Sequence, residues 1–93
     1  MANLRDLKKD IDYLCGQVVI DCLIYAQTSE KPDLDQAQEI VNEALLLDTE
    51  LRRQANHPDG KDNPKLVKAY YVALTKELVS KCDAMYNHLN NLV

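Results

Sequence analysis

The sequence predicts an all-α fold, an up-down-up antiparallel bundle of three long helices. Three observations predict it. Apolar residues recur at helical spacing through three long stretches. Two shorter stretches rich in Pro, Asn, Asp and Ser separate them. The composition is also poor in helix breakers, with two glycines and three prolines in 93 residues, while Leu, Ala, Glu, Lys and Gln favour helix.

The first helix is expected over about residues 3–28. Asn3 is a candidate N-cap with Asp6 three residues on. Leu4, Leu7, Ile11, Leu14, Cys15, Val18, Cys22 and Tyr25 form its core stripe. The segment from Gln27 to Asp33 breaks that pattern. The second helix is expected over 33–55, where Asp33 and Gln36 have the spacing of a capping box. Its stripe is Ala37, Ile40, Val41, Ala44, Leu47, Leu51 and Ala55. The segment from Ala55 to Pro64 holds Pro58-Asp59-Gly60, a turn in which proline presets φ and glycine tolerates positive φ. The third helix is expected over 64–91, with Asn63 as N-cap and Pro64 at the first helical position. Its stripe is Val67, Tyr71, Leu74, Leu78, Cys82, Met85, Leu89 and Leu92.

At 1.5 Å per residue each helix is roughly 33–42 Å long. Matched lengths and short connections make sequential helices antiparallel neighbours, in one domain spanning 1–93. No apolar run approaches the eighteen or so residues that a membrane helix needs; the longest, Val18 to Ala26, is interrupted by Asp21. The opening MANLRDLKKD is charged, unlike a secretory leader. Three cysteines without disulfide-type spacing fit a reducing compartment, so the expected location is cytoplasmic.

Apolar residues remain once the core is assigned. On a wheel of 100° per residue, Tyr13, Ile20 and Ile24 lie opposite the first helix's core stripe, with Gly16 and Leu23 beside them. On the third helix Val72, Val79, Tyr86 and Val93 recur every seven residues, next to its core stripe. Leu46 points away from the core of the second helix. Broad apolar faces on a three-helix bundle account for the third helix's line. They account poorly for Tyr13, Ile20 and Ile24. Contiguous exposed apolar surface marks a contact site, so Tyr13, Gly16, Ile20, Leu23 and Ile24, with Val72, Val79 and Tyr86, form the expected interface of a homodimer, with a different protein partner on the same stripe as the alternative.

The net charge of −4 gives no global support for nucleic-acid binding. Charge is nevertheless polarised. Arg5, Lys8, Lys9, Arg52, Arg53, Lys61, Lys65 and Lys68 gather at one pole, with His57 in the loop. Asp21, Glu30, Asp33, Asp35, Glu39 and Glu43 gather at the other. Helix N-termini at the basic pole favour anions. Arg52, Arg53, Lys61, Lys65 and Lys68 are therefore the alternative site, for an anion or a nucleic-acid backbone. Asp6, Asp10, Asp12, Glu50, Asp59 and Asp62 share that pole and offset its charge, and no aromatic platform or glycine-rich phosphate cradle accompanies it.

No constellation for catalysis emerges, and neither a metal nor a cofactor is expected. Asp35, Glu39 and Glu43 share one helical face, but the Glu-x-x-His motifs of a di-iron bundle are missing and that face should be exposed. Cys15 and Cys22 stand roughly 10 Å apart along one helix, too far to bridge. Cys22 and Cys82 are placed at similar heights on parallel helices. His57 and His88 read as surface residues that give no cysteine a base. Asp21, in an apolar run, needs a partner if it is covered. The sequence thus points to a self-associating interaction module without specifying a role.

Overall fold

The computed structural model describes residues 3–58 and 62–93. Its three helices are α1 (Leu4–Thr28), α2 (Leu34–Asn56) and α3 (Pro64–Leu92), and each packs against the other two in an all-α three-helix bundle.

Each helix starts where a side chain can satisfy otherwise unpaired N–H groups. Asn3 accepts from the Asp6 amide at 2.9 Å, and Asp33 accepts from the Gln36 amide at 3.1 Å. Asn63 accepts from Lys65 at 3.0 Å and Leu66 at 3.4 Å, ahead of Pro64 at the first helical position. The expected capping box is only half formed. Gln36 does not reach back to the Asp33 amide, which instead donates to the Tyr25 hydroxyl at 2.7 Å. The Gln36 side chain crosses to α3 and meets His88 at 2.8 Å. The turn at Pro58-Asp59-Gly60 lies, apart from Pro58, outside the described residues.

Cross-helix hydrogen bonds fix the topology. Arg52 near the end of α2 donates to Asp12 in the first half of α1, so α1 and α2 are antiparallel. Tyr71 donates to the Ala55 carbonyl at 3.4 Å while His88 meets Gln36, so α2 and α3 are antiparallel as well. Tyr25 donates to the Leu92 carbonyl, and Tyr86 donates to Asp21 at 2.8 Å, so α1 and α3 run parallel. The order is up-down-up.

One continuous core runs the length of the bundle. Leu7, Ile11, Cys15, Val18, Cys22 and Tyr25 of α1 meet Ala37, Ile40, Ala44, Leu47, Leu51 and Ala55 of α2 and Tyr71, Leu74, Leu78, Cys82, Met85 and Leu89 of α3. Every one of these belongs to the stripes that helical spacing assigns. The stripes overreach at their margins. Leu14, Val41, Val67 and Leu92 are only half-buried against the core, and Leu4 is exposed in the first turn of α1. Val67 and Leu92 lie near the ends of α3, where a helix has fewer neighbours, whereas Leu14 and Val41 sit at the sides of their stripes.

Candidate interaction surface

The core uses one side of α1. On the other side Tyr13 is 69% exposed, Ile20 49%, Leu23 54% and Ile24 51%. Their spacing places them within about a third of the helix circumference, in a stripe about 17 Å long. Gly16 lies within it. A Cβ added at Gly16 meets nothing within 4 Å, so the chain's own packing gives no reason for a glycine there.

Leu45, which helical spacing alone did not single out, extends the apolar surface onto α2. It is 55% exposed and lies one turn from Asp48 and two from Arg52, on the flank of α2 that faces α1. A run of three leucines, Leu45 to Leu47, is the signal in the sequence. Leu47 enters the core, whereas Leu46 is exposed on the outer side of α2.

The third helix's line divides. Val72, Val79 and Val93 are exposed. Tyr86 is drawn inward instead: it packs against the core and its hydroxyl donates to Asp21 across the α1–α3 seam. Burial and the adjacent Asp21 carboxylate both push the Tyr86 phenol up, which keeps it a donor. Asp21 thus has its partner within the chain.

The α1–α2 seam carries a charged cluster at the edge of the apolar stripe. The Arg52 guanidinium pairs with Asp12 and holds that carboxyl below its ordinary range. Asp48 lies beside Asp12. Burial, and then the Asp12 carboxyl, push Asp48 up to about 6, and its Oδ1 has no hydrogen-bond partner.

The candidate anion site comes together only in part. Arg52 is engaged by Asp12, and Arg53 is held by Glu50 at 2.5 and 3.0 Å. Lys61 lies outside the described residues. Lys65 and Lys68 stand exposed on the first turns of α3. Acidic partners therefore occupy the two guanidiniums best shaped to grip a phosphate.

A groove of about 430 Å³ separates α2 and α3, floored by Leu47, Leu51 and Met85 and rimmed by Glu43, Glu50, Glu77 and Lys81. Lys81 pairs with Glu77 at 3.3 Å and Arg53 with Glu50, so most rim charge is neutralised locally. All three cysteines are free and buried. The thiol beside Cys82 is that of Cys15, not Cys22 as height along ideal helices suggests; the parallel α1–α3 register sets Asp21 level with Tyr86, which brings Cys82 closer to Cys15. Burial pushes the Cys15 thiol up to about 12, which makes it a poor nucleophile. His88 is half-buried against Gln36 rather than on the surface. Asp35, Glu39 and Glu43 are exposed along α2, and no cluster able to hold a metal occurs among the described residues. No described helix is long and apolar enough to cross a membrane. Comparison with protein-family models, curated proteins and solved structures finds no match to this chain.

Proposed function

We propose that this chain is a homodimeric helical module whose role is protein–protein interaction, with two copies joined through the outer face of α1. The observation that carries this reading is the stripe of Tyr13, Ile20, Leu23 and Ile24, four large apolar side chains each about half exposed or more on one side of one helix. A helix apolar on two opposite sides is stable in water when both are covered, and the chain covers only one. Leu45 widens the patch to the neighbouring helix.

The anion reading draws less support, because Arg52 and Arg53 already hold carboxylates. Among the described residues His88 is engaged by Gln36 rather than by a buried thiol, which favours binding over catalysis. Three buried free thiols also favour a reducing setting, the cytoplasm.

Light scattering at micromolar concentration tests the proposal. The wild-type chain should give twice the chain mass, and a Tyr13→Ser, Ile20→Ser, Ile24→Ser variant the chain mass with unchanged helical circular dichroism. A monomeric wild type overturns the reading. Neither protein should show salt-dependent retention on heparin; retention of both would favour the basic pole.

A further inference from the structure

We propose that the second copy lies antiparallel across this face, α1 against α1 about a two-fold axis, with Ile20 of each copy seated over Gly16 of the other. This rests on the self-association reading above and extends it to the orientation and register of the partner helix.

Gly16 is the starting point. Glycine inside a helix is less stable than alanine there, because its unfolded backbone is freer. Nothing within the bundle offsets that, since a Cβ at Gly16 would meet open space and the residue has ordinary helical geometry. The missing side chain instead leaves a notch in the middle of the solvent-facing apolar stripe. Helix axes approach to about 8 Å where the residue at the crossing is small.

The stripe fixes the register. It runs from Tyr13 to Ile24, so its midpoint falls between residues 18 and 19. A two-fold axis at that height sets Tyr13 of one copy against Ile24 of the other and brings each Ile20 to within about one residue, or ~1.5 Å along the axis, of the opposite Gly16. All the stripe's apolar side chains are then covered.

Charge fixes the direction. The same face of α1 carries Arg5, Asp6, Lys9 and Asp10 before Tyr13, and beyond Ile24 the uncharged Gln27 and Thr28. Parallel pairing would set Asp6, Lys9 and Asp10 against their own copies, like against like. Antiparallel pairing places them beyond the apolar overlap, Asp10 beside Gln27 and Lys9 beside Thr28, with the two helix dipoles opposed. Each copy offers on the order of 500 Å², which together reaches the ~1,000 Å² that a specific interface needs.

Two variants test the arrangement. Gly16→Ala should raise the melting temperature of the dilute, monomeric chain by a few degrees, because helix propensity improves and the methyl group meets nothing. The same variant should weaken dimerisation at least tenfold by sedimentation, because that methyl group separates the axes. An unchanged dimer constant overturns the notch. A nitroxide on Gln27→Cys reads the direction, since the three native cysteines are buried. Residue 27 lies about 8.5 residues from the proposed axis, so the two labels should be ~25 Å apart. A dimer with labels about 10 Å apart is parallel and overturns this inference while leaving self-association standing. A chain monomeric at micromolar concentration removes both.

Discussion

Burial disfavours a charge on the Asp48 carboxyl, Asp12 repels it, and the Arg52 guanidinium is turned to Asp12 instead. Held at about 6 in the fold against an ordinary 3.8, Asp48 keeps its proton across that window while the unfolded chain loses it. Stability therefore falls as pH rises from about 4 through about 6, and the loss persists above. Asp12 has the opposite sign. Arg52 holds its folded value below 3.8, so its contribution is present above that pH and is lost as pH falls through the folded value. Asp48→Asn should remove the first effect, because the amide carries no charge and can donate to Asp12. Urea denaturation at pH 8 should show a gain of about 1 kcal/mol, worth several degrees in melting temperature; a loss of stability there contradicts the assignment. Tyr25 shows the converse, a hydroxyl with two uses. It accepts from the Asp33 amide and donates to the Leu92 carbonyl, tying the α1–α2 connection to the end of α3. Tyr25→Phe should cost about 1–2 kcal/mol in the same measurement.

At the scale of the helix, starts were legible and cross-helix partners were not. An N-cap is a local device, and Asn3, Asp33 and Asn63 each make the bond that their position predicts. Asn63→Ala should accordingly cost about 1 kcal/mol in thermal or urea unfolding, and Asn63→Ser much less. Gln36 shows where local reading ends. Its spacing from Asp33 fits a capping box, yet a half-buried histidine on α3 takes its side chain. Tyr86 shows the same limit. Its line along α3 with Val72 and Val79 is visible in one dimension, whereas its bond to Asp21 depends on the parallel α1–α3 register. Leu45 escaped notice because its exposure depends on how α2 is rotated against α1. Tyr13, Ile20 and Ile24 stood out because they lie so far from the core stripe that no choice of neighbour within three helices covers them.

The whole molecule is slender, measuring 53 × 19 × 16 Å, and its radius of gyration of 15.2 Å exceeds the roughly 12 Å of a compact chain of this length. A three-helix bundle so elongated has a core one side chain deep and flanks open to solvent along its full length. The fold class was readable because three stripes of matched length admit few arrangements. The outer stripe of α1 was readable too, but not the rotation of α2 that sets Leu45 exposed on its flank. A dimer that forms only from folded chains should make the melting temperature rise by a few degrees per tenfold increase in protein concentration, whereas the triple serine variant should melt at a constant temperature. The most direct measurement compares two charge insertions by sedimentation. Ile20→Glu places a carboxylate in the α1 stripe, and Leu46→Glu places one on an exposed apolar position outside it. Self-association through α1 predicts that wild type and Leu46→Glu sediment as dimers and Ile20→Glu as a monomer; an Ile20→Glu dimer as tight as wild type, or a monomeric wild type, contradicts it.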